Sequence, residues 1–129
     1  MNPEKTIVCD VDHTILFTEN RDYENSVPNE LVCEKLREAR RKGWRIVLYT
    51  ARGMGRSGGD ISKVSGEVES EIVRFCDKFS VPFDQLVIGK PWGRYYVDDK
   101  ALRPDEFCKI DLDNTFSRRC PISSGGTRS

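Results

Sequence analysis

Lys5-Thr6-Ile7-Val8-Cys9-Asp10-Val11-Asp12-His13-Thr14 is the stretch on which the fold reading turns. Its first half is a short β-branched, apolar run that ends abruptly at a carboxylate, as a buried strand opening into a loop would. Residues 15–27 (ILFTENRDYENSV) then mix apolar and polar types without a period, which predicts an irregular hairpin or flap. Pro28 and Glu30 suit a first helical turn, and Leu31/Val32, Leu36 and Ala39 recur at helical spacing. Arg40, Arg41 and Lys42 load the far end and Gly43 stops it, so a helix is expected over about 29–42.

The alternation continues. Trp44–Tyr49 reads as a second strand ending at Thr50, followed by a glycine-rich loop, GMGRSGGD, over 53–60. Val64, Val68, Ile72, Phe75/Cys76 and Phe79 mark one face of a second helix, closed by Ser80-Val81-Pro82. Gln85–Ile88 reads as a third strand and Arg94–Val97 as a fourth, ending at Asp98-Asp99, with a short helical turn over 103–107. Strand, helix, strand, helix, strand, strand predicts a single α/β domain, Rossmann-like, with a mostly parallel central sheet. The domain is expected over 1–115, with a polar Ser/Gly/Arg tail over 116–129 too poor in apolar residues to order itself.

Composition narrows the function classes. The 129 residues carry 21 Lys+Arg against 21 Asp+Glu, so a polybasic membrane anchor or a general nucleic-acid coat loses ground. No run approaches the roughly 18 apolar residues of a membrane span, and the N-terminus lacks a signal-peptide pattern. Five cysteines without a CxxC pair argue against a disulfide framework or a zinc knuckle and fit thiols in a reducing cytoplasm.

In open α/β sheets ligands bind at the carboxyl ends of the strands. Every expected strand end here carries a polar group: Asp10 and Asp12, Thr50 and Arg52, Lys90, then Asp98 and Asp99. Three or four carboxylates crowded in one crevice call for a shared proton or a cation, and an oxygen-only set favours Mg²⁺ over zinc. Lys90 and the Thr50 hydroxyl add what a phosphate needs. Together these groups describe phosphoryl transfer through an aspartyl-phosphate.

These residues resemble the haloacid dehalogenase superfamily. IVCDVDHTI is similar to its first motif, DxDxT after a hydrophobic strand; IVLYTAR to its second, VIGKP to its third and YYVDD to its fourth, in the family's order over about residues 5–107. The GKP…YxDD ending resembles the small capless phosphatases of capsule and surface-polysaccharide biosynthesis. His13 departs from the family, which usually has Gly there. Only 35 residues separate Thr14 from Thr50, and 39 separate Thr50 from Lys90, so no cap domain fits and the site should be open or covered by a neighbouring subunit.

The resemblance implies a role for each matched residue. Asp10 would be the nucleophile and Asp12 the general acid and base. Mg²⁺ would be held by Asp10, the Asp12 carbonyl and Asp98, with Asp99 close by. Thr50 and the amides of Val11 and Ala51 would hold the phosphate, and Lys90 would neutralise charge on it and on Asp10. His13, Arg52, Arg56 and Trp92 are candidates for substrate contact. The expected protein is a cytoplasmic, Mg²⁺-dependent phosphomonoesterase for a small phosphorylated metabolite such as a sugar phosphate, with an oligomer left open. A nucleic-acid 3′-phosphatase and a non-catalytic phosphate-binding or receiver domain are the alternatives. Zero net charge weighs against the first and Asp12 against the second.

Overall fold

The structure, a computed structural model, describes residues 5–52, 65–91 and 93–113. β1 (Thr6–Asp10) leads into a small antiparallel hairpin of β2 (Leu16–Phe17) and β3 (Val27–Pro28), with a 3-10 turn at Tyr23–Asn25 between them. α1 (Glu30–Arg41), β4 (Arg45–Thr50), α2 (Ser65–Phe79), β5 (Gln85–Ile88) and the short α3 (Pro104–Phe107) follow. The sheet order is β1-β4-β5, parallel throughout. The fold is thus a small α/β protein with a parallel three-stranded sheet, compatible with a Rossmann-like architecture.

Strand alternation decides where the core lies. Ile46, Leu48 and Thr50 of β4 are fully buried, and Ile7, Cys9, Leu86 and Ile88 are in register with that face. Val32, Leu36 and Ala39 of α1 and Val68, Ile72 and Phe75 of α2 pack against it. The next residues along, Val8, Val47, Tyr49 and Val87, belong to the opposite face and stand outside the core cluster. Both helices therefore cover one side of the sheet. Ile46→Val, which deletes one methylene at the centre of the buried face, is expected to cost about 1 kcal/mol in urea unfolding; an unchanged midpoint would show that this centre is loosely packed.

The helix termini explain much of the charged sequence. Arg37 on α1 donates to the carbonyls of Phe79 and Ser80 at 2.7 and 3.1 Å, satisfying acceptors at the end of α2 that the helix itself leaves open. Arg40 meets Asp84 at 2.8 Å, Arg41 meets Glu34 at 3.2 Å, and Lys42 reaches both Glu38 and Asp113. The basic run is a paired helix end.

Two expectations need correction. Pro28 ends β3, and Asn29 is the N-cap that precedes the helix. More consequentially, no fourth strand forms at Arg94–Val97. The Lys90 amide is tied to the Thr50 carbonyl at 3.0 Å, and Pro91 follows at once. The Tyr96 hydroxyl then closes a tight turn by donating to the Pro91 carbonyl and accepting from the Gly93 amide. This leaves Tyr95, Tyr96 and Val97 exposed on an irregular arm. The tail over 116–129 and the loop 53–60 with Arg56 lie outside the described residues, as does Trp92.

Candidate active site

Asp10 is the last residue of β1, and the loop after β5 delivers Lys90 to it, Nζ to carboxylate, at 3.3 Å. The alignment follows from local bonds: the Thr50 carbonyl accepts from both the Gly89 and Lys90 amides at 3.0 Å, so β4 fixes where the β5 loop turns. Gly89 has φ +122°, a value that favours glycine. The Lys90 ammonium also lies 4.0 Å from the centre of the Tyr96 ring, so this cation is held between a carboxylate and an aromatic face.

Asp12 goes to a different cation. Its two oxygens accept from Arg52 at 2.7 and 3.2 Å, the bidentate fork a guanidinium offers. The Arg52 side chain is only 3% exposed. It also donates to Glu71 of α2 at 3.1 Å and lies 4.0 Å over the Tyr23 ring of the hairpin. Burial alone would pull the Arg52 pKa down, but the Asp12 carboxylate and then Glu71 raise it, so the guanidinium is locked in its charged form. Arg74 to Glu24 at 3.0 Å stitches the same hairpin to α2.

The loop between the two aspartates and the hairpin is tight. Thr14 and Ile15 both donate to the Val11 carbonyl, and His13 donates to Leu16. His13 has φ +64°, in the left-handed region that favours glycine, which accounts physically for a position where a glycine would sit without strain. The His13 ring is exposed and lies 6.4 Å from Phe17. Thr50 is fully buried on the core side, and its hydroxyl accepts from the Arg52 amide at 2.9 Å, which shapes the turn after β4. Val11 is fully buried and Ala51 half-buried beside them.

Asp98 and Asp99 are exposed on the arm, Asp98 accepting from the Lys100 amide and Asp99 paired with the Lys100 ammonium at 3.3 Å. Among the described residues no three acidic, cysteine or histidine side chains stand close enough together to hold a metal ion. Asp10, Asp12, Asp98 and Asp99 form no such group. Cys9, next to the site, is no alternative nucleophile: burial pushes its thiol up to about 12, with the Asp10 charge adding to the effect.

Sequence reasoning assigns Arg52 to substrate and does not reach Glu71 or Tyr23 at all. A usable signal exists. Glu71 lies on α2 between Val68 and Ile72, flanking the apolar stripe, where a carboxylate needs a buried cation. A cleft of about 390 Å³ lies along the same side of the molecule, lined by Tyr23, Glu71, Arg74 and Phe79 among others, and it includes neither Asp10 nor Lys90.

The fold and site define a small α/β protein with a lysine-paired aspartate at the carboxyl edge of a parallel sheet. The crystal structure of an MCSG target from Vibrio cholerae is 35% identical to it, with a TM-score of 0.81, covering 88% of this chain and 94% of that one. The chain belongs to the same family as that Vibrio cholerae protein. Chains from two structures of the Pnkp1/Rnl/Hen1 complex, described in one as an RNA repair complex, are 22% and 21% identical with TM-scores of 0.50. They share the fold over 74% and 81% of this chain, which spans 31% and 30% of their length. No protein-family model and no curated protein sequence matches the chain. No described helix is long and apolar enough to cross a membrane.

Proposed function

We propose that the protein is a phosphomonoesterase of the haloacid dehalogenase type, acting on a small phosphorylated metabolite. The observation that carries this reading is the Lys90–Asp10 contact of 3.3 Å at the carboxyl edge of β1. A lysine there lowers the repulsion between a carboxylate nucleophile and an incoming phosphate dianion. In the first step an Asp10 oxygen forms a bond to phosphorus while the bond to the ester oxygen breaks, and Asp12 supplies the proton that oxygen takes up. In the second, water attacks the aspartyl-phosphate, Asp12 accepts its proton, and Asp10 and inorganic phosphate are released. Lys90 remains protonated throughout and screens both steps. The acid step needs a proton on Asp12, so one of its two Arg52 bonds has to open, and the 3.2 Å bond is the weaker of the pair.

Removal of phosphate from nucleic-acid 3′ ends is the second reading, and the fold likeness to chains of an RNA repair complex keeps it in view. Equal numbers of acidic and basic residues weigh against it, because phosphate-backbone binding draws on excess positive charge. A screen of an aryl phosphate, sugar phosphates, nucleotides and a 3′-phosphorylated oligonucleotide, read by inorganic phosphate release, decides between them. Release from sugar phosphates over the oligonucleotide is expected. Preference for the oligonucleotide would favour the second reading, and no release from any of them would overturn both.

A further inference from the structure

A lysine side chain is a point charge on a flexible four-carbon stem, so holding its ammonium in one place takes more than one contact. Lys90 has the Asp10 carboxylate at 3.3 Å, but Asp10 is 36% exposed at the sheet edge, where an ion pair is a weak restraint. Two aromatic rings add to it. Tyr49, the cross-strand partner of Asp10, has its ring centre 5.8 Å from the ammonium, and Tyr96 has its own 4.0 Å away. We propose that Tyr96 is the positioning residue for Lys90: its ring holds the ammonium against Asp10, and its hydroxyl holds the ring.

The hydroxyl works through the backbone. It donates to the Pro91 carbonyl at 2.8 Å and accepts from the Gly93 amide at 3.0 Å, so a phenol's donor and an acceptor site both engage residues that follow Lys90. Pro91 stiffens the same turn, because its ring fixes φ. On the other side the Lys90 amide donates to the Thr50 carbonyl at 3.0 Å. Lys90 is thus fixed through its backbone at β4, and Tyr96 links the turn beyond it to its ammonium. The neighbouring Tyr95 is engaged elsewhere: its ring centre lies 5.6 Å from the Arg94 guanidinium, and the residue is 78% exposed. Two adjacent tyrosines therefore hold different cations, and Tyr95 serves as the control for Tyr96.

An aromatic face suits this place better than a second carboxylate. It attracts the cation through the ring quadrupole and adds no net negative charge beside Asp10 and an incoming phosphate dianion. It also spares the ammonium N–H groups for oxygen acceptors, and a lysine has three of them to share between Asp10 and a phosphate. The effect of Tyr96 on turnover rests on the proposed phosphoryl chemistry, whereas its hold on the ammonium rests on the contacts alone.

Tyr96→Leu removes the ring and the hydroxyl together and is expected to lower kcat/KM on an aryl phosphate by roughly 10- to 100-fold, as a misplaced charge would. Its melting temperature should stay close to wild type, because Tyr96 is half exposed. Tyr96→Phe keeps the ring and loses its tether, so its turnover should fall between the two. Tyr95→Leu should leave turnover unchanged. NMR on the full chain with ¹³C-labelled lysine reads the placement separately. The Lys90 ε-methylene protons, assigned with Lys90→Met, should be shifted upfield by the ring beneath them. They should return to the ordinary lysine position in Tyr96→Leu and keep part of the shift in Tyr96→Phe. Wild-type turnover in Tyr96→Leu, an equal loss in Tyr95→Leu, or ε-methylene signals that Tyr96→Leu does not move would overturn the proposal. So would a loss of turnover that merely follows a fall in melting temperature across the two Tyr96 variants. If the wild type hydrolyses no phosphomonoester, the phosphoryl reading fails while the NMR shift still decides whether Tyr96 holds Lys90.

Discussion

Asp10→Asn is expected to abolish turnover of an aryl phosphate, by on the order of 10⁴-fold or more, with the melting temperature nearly unchanged. The substitution keeps the shape of the side chain and removes the anion proposed to attack phosphorus. Its structural cost is small, because the contact with Lys90 lies at the sheet edge and the Asp10 side chain is 36% exposed. Pairs of that kind contribute about 1 kcal/mol or less. Asp12→Asn should behave differently, slowing turnover by roughly 10²- to 10⁴-fold as a general acid and base is lost. It should also destabilise the fold measurably, because Asp12 closes the Arg52 fork. The contrast is the informative part. Near wild-type turnover in Asp10→Asn would rule out covalent catalysis through that residue, whatever Asp12 does.

The layers of this fold were legible because each has its own period. α1 and α2 follow from apolar spacing at Val32/Leu36/Ala39 and Val68/Ile72/Phe75, and β1, β4 and β5 from short apolar runs between turn residues. What position along the chain does not encode is direction. Asp10 and Thr50 both end strands, yet Asp10 shares with Val8 the face opposite the core, whereas Thr50 shares the core face with Leu48 and is fully buried. The run Arg94–Val97 has the composition of a strand but pairs with no strand of this sheet, because the Tyr96 hydroxyl ties it into a turn with Pro91 and Gly93. A local propensity yields a strand only where the backbone meets a partner, and that depends on the bonds of the connecting turn as well as on residue type.

Arg52 illustrates the same limit for the site, and its removal should be the most damaging change outside the nucleophile. At the sequence level a guanidinium after a strand end suits an anionic substrate. In the fold it is 3% exposed and already engaged by Asp12, Glu71 and Tyr23. Arg52→Ala leaves Asp12 and the mostly buried Glu71 without their cation, and breaking a buried pair on one side costs about 3–5 kcal/mol. The variant is therefore expected to lose that much stability in denaturant unfolding. It should also lower kcat on a small aryl phosphate while leaving KM little changed, because Arg52 holds both Asp12 oxygens and its own side chain is buried. Arg52→Lys keeps the charge but has no fork with which to hold both Asp12 oxygens, so it should recover more stability than turnover. That split separates a positioning arginine from a merely structural one, for which the two would recover together. A selective rise in KM for the larger substrates, with stability and aryl-phosphate turnover intact, would return Arg52 to the substrate-gripping role that its place in the sequence suggests.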